Sequence, residues 1–249
     1  MLKIREALPI NYFKNLYFSP SWALIVIGLF VGGVCCGFGF WQLDRAEEKT
    51  LLAERIKTMS DLPALPLNSS NNLEKFRIAQ AVGRYLPSET FYLDNMIYKG
   101  RPGYHIISLF ELDGKKELIL VNRGWLAGLA DRSVLPKMET PSGERTLKGS
   151  LVSPRTRPFF MGDGEPHKQK LRLYINIEQL SKRISRPVSP YVMQLQGDSE
   201  DGLIISWPKF DSKVSMHIGY AIQWFAFTLF ALIMVIYSCF KKKRPALQD

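Results

Sequence analysis

Hydrophobic and polar positions are distributed along this chain in three regimes. No charged side chain occurs between Lys14 and Asp44, an interval of 29 residues, or between Lys213 and Lys241, an interval of 27. Each interval is long enough for a helix, rising 1.5 Å per residue, to cross a hydrocarbon layer of roughly 30 Å. The pattern therefore predicts an integral membrane protein with two transmembrane helices, over residues 21–43 and 217–240, flanking one mainly β (α+β) domain. Five segments follow: a tail over 1–20, the first span, a folded domain over 44–216, the second span, and a basic tail over 241–249. A cleaved signal peptide fits the first interval less well, because its apolar run is long and no small-x-small site precedes the charged residues.

Between the spans the periodicity changes twice. Asp44–Met59 keeps a helical pattern, with Leu51, Leu52, Ile56 and Met59 on one face, until Asp61-Leu62-Pro63 ends it. Leu67–Leu73 reads as an exposed connection. Alternation then takes over in Phe76–Val82, Phe91–Leu93, Tyr104–Phe110, Leu118–Val121, Thr146–Val152, Leu171–Ile175, Tyr191–Leu195 and Leu203–Ser206. Short strands with close turns predict antiparallel meander connections. One helix interrupts them: Asn176, with Gln179 three residues on, predicts an N-cap for Ile177–Ile184. Pro154–Lys170 reads as a mobile loop.

Charge adds a direction. Residues 44–216 hold 26 basic and 21 acidic side chains, a net of +5, and the much shorter tails supply the other +5 of the total +10. Lys3, Arg5 and Lys14 precede the first span and Lys241-Lys242-Lys243-Arg244 follow the second. By the positive-inside rule both tails are cytoplasmic and the central domain lies outside. The short N-tail has no Arg-rich presequence, which favours a bacterial inner membrane over an organelle. Membrane lipid is the expected partner of the basic tails. Nucleic acid is not, since no basic-aromatic platform accompanies the charge.

Candidate chemistry is sparse. Cys35, Cys36 and Cys239 all fall within the spans, so the outer domain has no disulfide, redox pair or thiolate metal cage. No hydrolase, zinc or nucleotide motif is present. The span edges carry more. His217, Tyr220, Ala221, Trp224 and Phe225 are spaced to share one helical face, and Trp41 and Arg45 lie four apart on the first helix. Three readings stay open from these residues: an interfacial aromatic belt, a face for a protein partner, or a seat for a flat cofactor with His217 as metal ligand. The five glycines of the first span likewise admit ordinary membrane-helix composition or close helix packing. Gly124 permits a tight backbone turn and Trp125 packs a β core in one reading; in another, Arg123 and Trp125 belong to a partner surface.

The ordered motifs resemble the SURF1/Shy1 family of cytochrome oxidase biogenesis proteins. They are Gly39-Phe40-Trp41-Gln42-Leu43-Asp44-Arg45 with Lys49, Gly100-Arg101-Pro102-Gly103-Tyr104, Leu120-Val121-Asn122-Arg123-Gly124-Trp125, and His217-x-x-Tyr220-Ala221-x-Gln223-Trp224-Phe225. The resemblance implies a non-enzymatic assembly factor for a haem-copper oxidase, assisting haem a insertion or stabilisation in the catalytic subunit alongside other assembly factors. It implies cofactor contact at His217, as iron ligand, with Tyr220 and Trp224 the aromatic matches; Trp41 and Arg45, from their place on the first helix, are the further expected cofactor contacts. Gln42, Asn122, Arg123, Gly124, Trp125 and Gln223 are then motif residues with a structural or partner-binding role. A scaffold that holds an oxidase intermediate without ligating a cofactor, and an external hydrolase, are the alternatives. Where the family pattern carries asparagine beside the histidine this chain has Ser215-Met216, so Ser215 must orient the ring from another position or leave it less fixed.

Overall fold

The computed structural model describes residues 16–156, 170–197 and 201–242. They form two compact units, one of Met1–Ala53 with Asp211–Asp249 and one of Glu54–Phe210. These boundaries assign residues 44–53 and 211–216 to the helical unit, whereas the charge pattern groups them with the outer domain. Residues 157–169, most of the predicted mobile loop, lie outside the described residues.

The first unit is a helical pair. After a short strand β1 (Leu16–Phe18) comes α1 (Trp22–Asp61), 40 residues that run on into the second unit. At 1.5 Å per residue it is about 60 Å long, twice a hydrocarbon layer, so its charged C-terminal stretch extends beyond the apolar span. The second span is α3 (Val214–Ser238), followed by β9 (Phe240–Lys242). Both spans turn large apolar side chains outward, among them Phe30, Phe40, Ile222 and Phe230. In water such a surface would be unstable; in lipid it is required. Strands β1 and β9 pair antiparallel through Tyr17 and Lys241. That pairing sets the start of the first span beside the end of the second.

The helices meet along a seam of small residues. Gly28, Gly32, Cys35 and Gly39 recur at three- and four-residue intervals, with Ala46 seven further on; Gly32, Cys35, Gly39 and Ala46 are buried. A side chain on Gly28 would strike Val235, and one on Gly39 would strike the Phe225 ring. Gly33 and Gly37 face nothing. Only part of the glycine pattern therefore serves helix contact. Thr228 Oγ1 donates to the Gly32 carbonyl at 3.3 Å, adding a polar tie inside the apolar span.

The second unit is built on a ring of strands. Its elements are β2 (Leu65–Pro66), β3 (Ile78–Tyr98), β4 (Arg101–Leu112), β5 (Leu118–Ala127), β6 (Arg145–Val152), β7 (Leu171–Arg172), α2 (Ile177–Ile184) and β8 (Val188–Leu195). The pairings run β3–β4–β5–β8–β6 and return to β3, so the five strands close on themselves. Closure removes exposed edges, a recurrent hazard of open sheets. The predicted antiparallel meander is present as β3–β4–β5, whereas β8 closes the ring parallel to β5, and β2 and β7 also pair parallel with β3. A two-residue turn at Lys99-Gly100, both with positive φ, joins β3 to β4, and bulges bend β3 after Leu86 and Leu93.

Alternation builds two cores from the same strands. Ile119 and Val121 join Ala79, Phe110, Leu147 and Met193 in one cluster; Leu118 and Leu120 join Phe91, Ile107 and Val192 in the other. The second cluster is capped by α2, whose Leu180 is buried, a contribution of about 1.5–3 kcal/mol. The predicted cap holds: the Asn176 side chain accepts from the Gln179 N–H at 2.9 Å. Three expectations change. Leu67 is buried, because Asn68 exchanges hydrogen bonds with Val82 and draws this stretch onto the ring. Phe76–Val82 and Phe91–Leu93 contribute to one long strand. Leu203–Ser206 reduces to a single bridge, Ile204 to Trp125.

Candidate functional site

In the second unit Gly103, Tyr104 and the run Leu120–Trp125 are interior, while Gly100, Arg101 and Pro102 are exposed at the β3–β4 turn. Ile106 pairs with Gly124 and Ile107 with Asn122, so Arg123 is an extra residue on β5, a bulge that turns its side chain inward. Gly124 takes φ +140°, and a Cβ there would lie 3.0 Å from Ile204 O and Leu203. Arg123 is fully buried. It donates to Asp201 at 2.6 Å, to the Glu139 carbonyl at 3.0 Å, and to Ser108 and Thr140 at 3.4 Å, with Tyr85 beneath the guanidinium at 5.3 Å. It thereby ties two connections to the strand ring. Trp125 is buried against Tyr98 and donates from Nε1 to Met96 O at 3.0 Å. Gly103 makes room for it: a Cβ at that position would lie 2.6 Å from the indole. Two distant motifs are thus one packing unit. The reading that places Arg123 and Trp125 on a partner surface does not agree with their burial.

Asn122 completes this cluster. Its Nδ2 lies 3.1 Å from Nδ1 of His105, and its Oδ1 accepts from the Gly124 N–H. The His105 ring also meets Trp207 edge-on at 5.3 Å. Burial, with the positive charge of Arg155 added, pushes the imidazole down to about 4. It is neutral at neutral pH and accepts from the Asn122 amide. No group of three or more His, Cys, Asp or Glu side chains among the described residues could hold a metal ion.

At the span edge the structure joins two predicted residues that the sequence does not pair. His217, in the first turn of α3, places Nδ1 2.8 Å from Oε1 of Gln42 on α1. An amide oxygen only accepts, so Nδ1–H donates to it, and in the neutral ring this tautomer leaves the lone pair on Nε2. Gln42, rather than Ser215, orients the ring. His217 and Gln42 are half-buried. Nε2 forms no hydrogen bond with a described residue. One imidazole nitrogen without a hydrogen bond to a described residue, on a ring oriented by an amide, is a donor that could ligate a haem iron.

The other predicted residues divide between inner and outer positions. Ala221 is buried and Phe225 packs on Gly39, so both belong to the helix seam. Trp224 lies against Phe38 at 4.9 Å. Tyr220 and Gln223 are exposed. The predicted single column of rings is thereby split. Trp41 is exposed, with Arg45 over it at 5.7 Å, and Arg45 in turn pairs with Glu48 at 2.6 Å. Trp41 makes no ring contact with Tyr220 or Trp224.

The SURF1 family model matches residues 29–229, from within the first span to within the second. Among relatives, the SURF1-like protein of Rickettsia bellii (strain RML369-C) is 23% identical over 210 residues, covering 82% of this chain and 85% of the relative. The SURF1-like protein of Caenorhabditis elegans is 25% identical over 232 residues, covering 80% and 69%. The cytochrome oxidase assembly protein SHY1 of Saccharomyces cerevisiae is 26% identical over 140 residues, covering 52% and 36%.

Proposed function

The chain belongs to the SURF1 family, and from that membership we propose that it is a non-enzymatic assembly factor for a haem-copper oxidase, presenting His217 to haem a on its way to the catalytic subunit. The observation that carries the reading is the Gln42–His217 pair. Holding the proton on Nδ1 leaves a neutral Nε2 ready without a tautomer change. Haem a, as cargo, would supply an iron centre that an imidazole nitrogen can ligate. Tyr220, Trp224 and Trp41 offer aromatic surface beside it. Arg45 can exchange Glu48 for a carboxylate of the cargo at small cost, because an exposed pair of this kind is worth at most about 1 kcal/mol.

Placement follows the same logic. The pairing of β1 with β9 supports both span ends nearest the tails lying on one side, as two crossings require. The basic flanks favour the cytoplasm for that side and the periplasm of a bacterial inner membrane for the strand-ring unit.

The test is purification from cells that make haem a, followed by pigment stoichiometry and redox difference spectra. His217→Ala is expected to lose the pigment, and Gln42→Leu to keep it with a shifted spectrum and weaker retention. Undiminished, stoichiometric pigment in His217→Ala refutes ligation. Capture of the catalytic subunit by that same variant would then identify a scaffold that binds the oxidase intermediate without touching its cofactor.

A further inference from the structure

A cleft of about 810 Å³ opens between β3 and α2 in the second unit, away from every motif above. Its walls carry Lys170 and Arg172 on one side and Lys182 and Arg183 on the other, against one carboxylate, Glu89. Glu89 is already committed, accepting from both terminal nitrogens of Arg183. Lys182 is paired with Glu178. Lys170 and Arg172 therefore form no ion pair with a described residue, although Glu89 partly offsets the charge of Arg172. Arg172 is half-buried, its guanidinium 4.2 Å above the Phe91 ring, and its Nε is buried without a hydrogen-bond partner. Burial and neighbouring Arg183 both push this guanidinium down from its usual range, and Glu89 only partly opposes them. The terminal nitrogens of this partly exposed guanidinium form no hydrogen bond with a described residue and can donate to an arriving anion.

We propose that this cleft docks an extended acidic segment of a partner protein. Size argues against a small anion: at about 30 Å³ per water the cleft holds more than two dozen waters, many times the room one phosphate needs. Shape argues against a membrane surface. The cationic residues stand on two sides of a concave slot, which a side chain on an extended peptide can enter and a flat headgroup layer cannot. Steering by such a slot raises association rate and makes binding strongly salt-dependent. The inference needs no haem and stands apart from the role assigned to His217.

The experiment uses the full chain in detergent micelles and fluorescence anisotropy of a labelled eight-residue peptide alternating Glu and Gly. The expected result is binding at 50 mM salt that weakens about tenfold or more at 300 mM. The matched Gln peptide is expected to bind at least tenfold more weakly. Lys170→Gln and Arg172→Gln should each weaken binding threefold or more, while Arg132→Gln, outside the cleft, leaves it unchanged. Lys170 is exposed, so its variant reports on charge without disturbing the fold. Equal binding by the Gln peptide, or no loss in the Lys170→Gln/Arg172→Gln double variant, overturns the proposal. So does full displacement of the peptide by equimolar pyrophosphate, which would mark a small-anion site. Binding to phosphatidylglycerol nanodiscs that depends on Lys170 and Arg172, with no peptide binding, would mark a lipid site and also overturn it. Pigment measured on the same preparations separates this outcome from the haem reading.

Discussion

Acidification from pH 7 to pH 5 should weaken the strand-ring unit through one side chain, His105. The ring sits in β4, half-buried, with the Asn122 amide donating into Nδ1 and Trp207 against its edge. Folding lowers its pKa from 6.5 to about 4, by burial first and the charge of Arg155 second. Above pH 6.5 the ring is neutral in both folded and unfolded chains, and its contribution is constant. Between 6.5 and 4 the unfolded chain binds a proton that the folded chain refuses, so stability falls as pH falls. The loss is about 1.4 kcal/mol per pH unit, or ~2 kcal/mol at pH 5, and it levels off near ~3.4 kcal/mol below pH 4. Protonation would also set two donors, Nδ1–H and the Asn122 amide, against each other.

Two measurements check this. Proton NMR of the His105 ring in the full-length protein should place its titration near pH 4, and Asn122→Asp should move it upward by adding a negative neighbour. Hydrogen exchange of β4 and β5 amides, corrected for intrinsic rates, should show the stability loss between pH 7 and 5. His105→Gln should abolish that loss. Glu111 does not confound the window. Hydrogen bonds from Arg186 and Arg84 hold its carboxyl below 4.5, so its stabilisation is present above that value and is lost only as pH falls further. A His105 titration within half a unit of 6.5, or an undiminished loss in His105→Gln, refutes the reasoning.

Two further outcomes follow from the same interior. Arg123→Met removes a fully buried guanidinium from Asp201, Ser108, Thr140 and the Glu139 carbonyl, and should cost about 3–5 kcal/mol in denaturant unfolding; a loss under ~1 kcal/mol would show the network to be dispensable. Gly103→Ala places a methyl 2.3 Å from the Leu126 carbonyl oxygen and 2.6 Å from the Trp125 ring, so it should lower the thermal midpoint and change indole fluorescence together, whereas Gly100→Ala meets no neighbour and should leave Trp125 fluorescence unchanged.

Much of this architecture was legible wherever neighbouring residues decide it. The 29-residue charge-free interval, the helical stretch ending at Pro63 and the Asn176 cap all rest on local chemistry, and each appears in the structure. Features decided by distant partners were not. The alternation of β5 shows two buried faces, but nothing in it specifies that β8 lies alongside in parallel. Leu67 precedes a run of Asn and Ser that reads as solvated, yet Asn68 spends its amide on Val82 and Asp113. Gln42 stood in a recognisable motif without a partner. A signal was available: Gly28, Gly32, Cys35, Gly39, Gln42 and Ala46 keep the four-three spacing of a helix seam, which places Gln42 toward the second span. Only the contact identifies His217, 175 residues later, as what it meets.

The family motifs consequently do two different jobs, and substitutions in them should be told apart by what they change. Asn122, Arg123, Gly124, Trp125 and Gly103 have their hydrogen bonds and volumes consumed by the fold. Loss there propagates to every activity through unfolding. Gln42 and His217 spend one hydrogen bond on each other, and His217 Nε2 forms none with a described residue; on the proposed function its value lies toward an incoming group. A variant that loses pigment while retaining its unfolding midpoint therefore points to the span edge. One that loses both points to the strand ring. The distinction depends on which polar atoms the fold has already used, which motif matching alone does not reveal.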